Sequence, residues 1–372
     1  MKNRARLTNR YELVSRLFFL FLSLSLLACI TQTGGTRGGK ASAAGKPLPA
    51  VWDSVGERLF VMQENPRPGD PLTVIYYRPR AGNAKTETEA GRPRAVLFAL
   101  SEGKGSARKK LSSAVCFDFP VDAPGTVNER TAYAAILAIP STAPAGRLLI
   151  EIESHASDQS PSRILAELTI EARGRDFAAE EIPLNAGNTA LRTSPDPRKT
   201  AEALRLQEIL NSAGSTVYLK AAAFVPPVPA NTRRTSFFGD RRVYLYSNGK
   251  RDTAIHAGID YGVPTGTKVY APAGGKVVFA GPRIVTGNSV VLEHAPGLYT
   301  LYYHLEKVLA AKGQLLKQGE LIAESGSTGL ATGPHLHWEI RAGGENTDPD
   351  ALCAAPLLDA GSIAKRLLET AR

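Results

Sequence analysis

The chain has 372 residues, 43% of them apolar, which is enough for two cores, and a formal net charge of +10. Five basic side chains against one acidic in residues 1–28 hold four of those ten charges, so about six remain on the rest. With no stretch that interleaves aromatic and basic residues, this leaves no nucleic-acid-binding module, while 34 Gly and 25 Pro against 7% aromatics favour short strands and turns over long helices.

Lys2, Arg4, Arg6, Arg10 and Arg16 precede twelve uncharged, mostly apolar residues, 17–28. A basic stretch ahead of such a run is the layout of a secretory signal peptide, expected over 1–28. The run is shorter than the ~20 residues a helix needs to span a bilayer. Its end, Leu26-Leu27-Ala28-Cys29, resembles the lipobox of bacterial lipoproteins, although Leu27 departs from the small or β-branched residue usual there. That resemblance implies an exported, periplasmic or extracytoplasmic protein held to the membrane by a lipid on Cys29. An uncleaved anchor, or cleavage near Ala41-Ser42-Ala43 and secretion, are the alternatives.

Residues 29–48, rich in Gly, Ala, Thr and Lys, have little to bury and form a flexible tether. From 49 to 190 come short β-type runs separated by turns: 72–77, 95–100, 114–117, 134–139, 148–152 and 164–170. Six or seven strands in this length predict an immunoglobulin-like β sandwich. Its one histidine, His155, sits in a polar stretch and reads as an exposed loop residue. Cys116 and Cys353, the remaining cysteines, are too few for a cysteine zinc site and fall in different predicted domains, so two unbridged thiols are expected.

A linker helix is expected within 191–220. Asp196 can accept from the free amides of a first turn that Pro197 opens, Ala203, Leu206, Ile209 and Leu210 follow at helical spacing, and Gly214 stops it.

Five of the six histidines lie between 256 and 337. They occur in His256-Ala257-Gly258-Ile259-Asp260, in Tyr302-Tyr303-His304-Leu305, in Gly333-Pro334-His335-Leu336-His337-Trp338-Glu339, and at His294. Successive side chains of a strand alternate faces, so His335 and His337 share one side and His256 and Asp260 share another. Nitrogen and oxygen donors on even spacing are a zinc-type set. Catalytic zinc takes three protein ligands and leaves a fourth position for water. His256, Asp260 and one of His335 and His337 meet that count, which leaves the other histidine of the pair and His304 to act as base and as donor to a developing oxyanion. His294 ends a strand, adds no needed ligand and is read as structural.

In this order the three motifs resemble the lysostaphin-type, or LytM-like, peptidoglycan endopeptidases. The similarity runs through roughly 224–350 and includes Thr235 to Arg242, Val269 to Val277 and Gly326 to Gly329. The resemblance implies a zinc metallopeptidase domain over 221–352, followed by a C-terminal tail or helix over 353–372. It implies a small antiparallel β barrel or sandwich, with the glycine-rich segment 325–333 at one wall of the groove. It further implies that His256, Asp260 and His337 bind one zinc ion and that His335 and His304 are catalytic, with His335 the base. The whole chain is therefore expected to be mainly β and to hydrolyse stem peptides or cross-links of bacterial peptidoglycan. A catalytically silent wall-binding or amidase-activating protein, and a metallopeptidase acting on extracellular proteins, are the alternatives.

Overall fold

The computed structural model describes residues 51–54, 56–79, 92–101, 107–119, 130–154, 161–212 and 214–369. The leader, the tether, Cys29 and His155 lie outside the described residues, among which no helix is long and apolar enough to cross a membrane.

Nine strands come first: β1 (Val51–Ser54), β2 (Glu57–Val61), β3 (Pro71–Pro79), β4 (Arg94–Leu100), β5 (Arg108–Val115), β6 (Phe117–Asp118), β7 (Arg130–Ala138), β8 (Gly146–Glu153) and β9 (Ile164–Ala172). They form two sheets, in the orders β1-β2-β3-β7-β6 and β5-β4-β8-β9. Leu72, Val74 and Tyr76 of β3 and Leu97, Ile150 and Leu168 of the facing sheet meet in one core. This is the expected sandwich.

Its five-stranded sheet is covered on both faces. Alternation sends Ile75 and Tyr77 of β3, with Ala134, Ile136 and Ala138 of β7, into a second core shared with the C-terminal half. Burial on both faces is why 134–139 reads as a continuous apolar run.

Next come β10 (Ala179–Pro183), α1 (Ala186–Thr193) and α2 (Pro197–Asn211). The linker thus carries two helices. In α2 the Asp196 side chain accepts from Arg198 N, and Pro197 occupies the first turn. The shorter α1 is capped by Asn185.

Residues 234–347 supply β11 (Arg234–Ser236), β12 (Arg241–Leu245), β13 (Arg251–Ile255), β14 (Gly258–Tyr261), β15 (Lys268–Tyr270), β16 (Gly275–Arg283), β17 (Gly287–Ala295), β18 (Leu298–Val308), β19 (Leu315–Leu316), β20 (Leu321–Ser325), β21 (Leu336–Ala342) and β22 (Glu345–Thr347). The large sheet runs β11-β14-β21-β18-β17-β16-β19, with β15, β20 and β22 attached. It is antiparallel and open, so the sandwich, not a closed barrel, describes it. The face that carries Ile259, Tyr302, Trp338 and Ile340 is packed into the shared core. On the opposite face, Leu210 of α2 covers Tyr299 and Leu301.

A three-stranded sheet, β10-β12-β13, stands beside it. Here β10, which the sequence assigns to the N-terminal sandwich, pairs in parallel with β12. The chain ends in α3 (Pro349–Ala354) and α4 (Ala360–Glu369). Leu352, Ile363 and Leu367 join the shared core, and the Leu357 and Leu367 carbonyls accept from Thr73 Oγ1 and Arg58 Nη1. The tail is thus packed against the N-terminal sandwich. Cys116 and Cys353 are both free.

Candidate metal centre

The site is assembled by register. Between β14 and β21 Asp260 lies opposite His337, and between β18 and β21 Tyr303 lies opposite His337, so the three form a row across the sheet. The Tyr303 ring stacks on the His337 imidazole, with centroids 5.3 Å apart and planes 5° from parallel. His256 reaches the same row from the turn between β13 and β14. The chain must pass very close to β21 there, because a Cβ on Gly258 would stand 2.1 Å from the Trp338 carbonyl oxygen. This explains the glycine at the centre of the first motif.

Three donor atoms converge. His256 Nε2 lies 3.0 Å from His337 Nδ1 and 3.1 Å from Asp260 Oδ1, and His337 Nδ1 lies 2.8 Å from Asp260 Oδ1. Ligands about 2.0–2.1 Å from a tetrahedral zinc ion would stand roughly 3.3 Å from one another. The triangle therefore has the right size, and all three residues are buried.

Hydrogen bonding on the far side of each ring shows what the triangle lacks. His256 Nδ1 donates to the Phe237 carbonyl at 2.8 Å, which leaves Nε2 with a lone pair that points at a carboxylate oxygen. His337 Nε2 faces Glu339 Oε2 at 3.6 Å, and with the imidazole proton on that side Nδ1 also meets Asp260 Oδ1 as an acceptor. Three acceptors turned inward repel unless a cation sits among them. Without a metal that cation is a proton: burial pushes the His337 imidazole down, but the Asp260 and Glu339 carboxylates outweigh it and hold the group up to about 9. Burial likewise opposes ionisation of Asp260, yet the contacts of its Oδ1 with His256 and with the protonated His337 keep its carboxyl well below the usual range. The donor set fits a divalent metal ion.

His304 and His335 flank the triangle. Their rings lie 4.7 Å apart, and His335 Nε2 is 3.9 Å from Asp260 Oδ1. Each donates its Nδ1 proton to a loop carbonyl, His304 to Thr328 at 2.7 Å and His335 to Gly333 at 2.8 Å, so each presents a bare Nε2 to the groove. Burial, reinforced by His335 and His337, pushes His304 down to about 3, which makes it neutral at neutral pH.

Among the described residues, His304 is the one non-glycine with positive φ, at 60°. That conformation costs on the order of 1–3 kcal/mol. A register shift follows it in β18. The effect is that Tyr303 and His304, adjacent in sequence, both line the groove instead of alternating across the sheet.

The groove over these residues has a volume of about 770 Å³, room for a peptide of several residues. One wall is the 330–335 loop. The other comes from outside the predicted catalytic region, as Glu180 and Ile182 of β10 and Arg192 of α1. Asn188 of α1 donates to the Ala331 carbonyl at 2.9 Å and ties the two walls together.

Sequence reasoning passed over several groups. Arg242 Nη2 donates to Asp260 Oδ2 at 2.6 Å, on the side away from the histidines. Glu339 accepts from Arg341 and Asn346 while facing His337. Both sit inside runs that carry the resemblance, so their positions were visible even though their tasks were not. His294 lies elsewhere: Nδ1 donates to the Gly274 carbonyl, Nε2 accepts from Thr300, and burial pushes it down to about 4.

A β sheet that presents two histidines and an aspartate in one buried row, with two further imidazoles beside them, defines a metal-binding hydrolase-type site. Residues 254–349 match peptidase family M23, and this C-terminal part of the chain is an M23 domain. It is 46% identical over 118 residues to the DD-carboxypeptidase/endopeptidase Mpg of Neisseria meningitidis (32% of this chain, 26% of that one). Over 114 residues it is 40% identical to the peptidoglycan DD-endopeptidase ShyA of Vibrio cholerae (31% of this chain, 26% of that one). The chain thus spans about a quarter of the length of these relatives. A crystal structure of a peptidase M23 from Pseudomonas aeruginosa superposes with a TM-score of 0.48 at 20% identity, covering 78% of this chain and 95% of that one.

Proposed function

We propose that the protein is a zinc-dependent endopeptidase that hydrolyses peptide cross-links or stem peptides of bacterial peptidoglycan, outside the cytoplasm and with a lipid on Cys29 as its membrane anchor. The observation that carries this reading is the convergence of His256 Nε2, Asp260 Oδ1 and His337 Nδ1 to within 3.1 Å of one another, beneath a peptide-sized groove. The names of the relatives, D,D-endopeptidases, favour a D,D cross-link as the bond cut.

In this reading His256, Asp260 and His337 hold the ion. Zinc so bound would bring a water to a pKa near 7 and polarise the scissile carbonyl. His335, the more exposed of the two flanking imidazoles, takes the water's proton on Nε2 as attack proceeds. That proton can then pass to the departing amine. His304, neutral and with Nδ1 donating to Thr328, faces the same space with a bare Nε2, which accepts a hydrogen bond from the protonated oxygen of the tetrahedral intermediate or from the departing amine. The β10 and α1 wall confines the peptide against these groups.

The test is digestion of purified peptidoglycan by the zinc-loaded chain, followed by mass spectrometry of the muropeptides. Cross-linked dimers are expected to fall to monomers with new free termini. An unchanged muropeptide profile at full zinc occupancy would overturn the assignment.

A further inference from the structure

We infer that Glu180, on the linker strand β10, is a positioning residue for the metal centre, acting through Arg242 on Asp260. The inference rests on the reading of His256, Asp260 and His337 as metal ligands. Glu180 lies outside the 254–349 segment that matches the family, and it is 80 residues before Asp260 in the chain.

The route is short in space. In the parallel pairing of β10 with β12, Glu180 lies directly beside Arg242, and cross-strand neighbours share a face. Glu180 Oε1 accepts from Arg242 Nε at 2.6 Å, while Arg242 Nη2 donates to Asp260 Oδ2 at 2.6 Å. One guanidinium is thereby held between two carboxylates. Its rigid fork keeps the two donors in a fixed relation, so fixing one end fixes the other. Ser236 Oγ, 2.7 Å from Glu180 Oε1, steadies the far carboxylate.

Two consequences follow for a bound cation. The first is geometric: with Oδ2 occupied by Arg242, Asp260 keeps Oδ1 turned to His256 Nε2 and His337 Nδ1, at 3.1 and 2.8 Å. A metal-ligating carboxylate depends on such an outer partner for its orientation. The second is electrostatic. Arg242 is a fixed positive charge next to the place a divalent ion occupies, and Glu180 offsets it; without Glu180 the cation meets an uncompensated guanidinium. The neighbouring Glu181 is a natural control, because it faces away, is exposed and, among the described residues, pairs with Arg251 alone, at 3.4 Å.

The experiment uses the full chain and zinc itself, with affinity measured by competition against a chromogenic chelator. Glu180→Gln is expected to weaken zinc binding 10- to 100-fold, with the unfolding midpoint of the metal-free protein unchanged. Ser236→Ala should give a smaller loss, and Glu181→Gln none. In a double-mutant cycle, Glu180→Gln should cost little further affinity once Arg242 is replaced by Gln, because the connection is already broken. If circular dichroism shows Arg242→Gln to be unfolded, the comparison of Glu180→Gln with Glu181→Gln decides alone. Affinity within twofold of the parent in Glu180→Gln, an equal loss in Glu181→Gln, or full additivity in the cycle each overturns the inference. A parent chain that binds no zinc removes this inference and the proposed function together. A parent that binds zinc but leaves peptidoglycan intact, with Glu180→Gln still weakened, removes only the proposed function.

Discussion

Two buried polar clusters are built around histidines on β17, β18 and β21, and they differ in where their lone pairs go. Around His294 every group has a partner of the opposite kind: Nδ1–H meets the Gly274 carbonyl, Nε2 meets the Thr300 hydroxyl, and Thr300 Oγ1 lies 2.9 Å from the Tyr302 hydroxyl. Around His337 the lone pair of His256 Nε2 and the Asp260 carboxylate both face Nδ1, and without a metal only the proton on that imidazole holds them together. The first cluster is complete as it stands. The second calls for a cation, and this separates a structural histidine from a ligand more reliably than burial does, since His294 and His256 are both buried.

The comparison breaks most easily at the ligands. Structural zinc sites contribute about 10–16 kcal/mol shared among their ligands, so His256→Ala should lower zinc affinity about a thousandfold and abolish turnover, as chelator competition and muropeptide release will show. Replacing the flanking imidazoles should separate binding from chemistry. His335→Ala and His304→Ala are each expected to keep zinc while losing on the order of 10²–10⁴ in kcat; zinc loss equal to that of His256→Ala would mean that ligands and helpers have been interchanged.

The complete cluster should respond to pH through stability. His294 is held at about 4 in the fold, chiefly by burial, against roughly 6.5 in an unfolded chain. Above pH 6.5 neither state binds the proton and below 4 both do, whereas between them only the unfolded state does. Its contribution is therefore full above pH 6.5 and is lost as the pH falls towards 4, by about 3 kcal/mol. Urea unfolding across that range should show a slope in the parent that is shallower by this amount in His294→Gln, with His304 supplying part of what remains. The smallest effect is expected from Thr300→Val, which deprives His294 Nε2 of its donor and should cost about 2 kcal/mol with zinc affinity unchanged. A change in metal binding there would mean that the two clusters are coupled through the sheet.

Much of the site was legible because it is written in local spacing. The His-x-His triplet puts His335 and His337 into one groove by strand parity, whereas the close approach of Gly258 to the Trp338 carbonyl emerges only from the structure. Parity misleads at His304. Its left-handed backbone and the following register shift bring it to the same groove as Tyr303. A β bulge of this kind leaves no reliable mark on a histidine in a run of tyrosines and leucines. In the N-terminal half the apolar run 134–139 did signal a strand, but not that its second face lies against β21 and β22 of the C-terminal half.

The sequence by itself determined the β architecture and offered His256, Asp260, His304, His335 and His337 as candidate site residues, because alternation and motif order act over a few residues; the division into ligands and helpers is what the resemblance implies. Only the tertiary structure decided which carboxylate oxygen stays free, through Arg242, and that β10 and α1 form a wall of the groove. Those contacts join residues far apart in the chain, and pairing at such distance is set by how whole sheets pack, not by any local pattern.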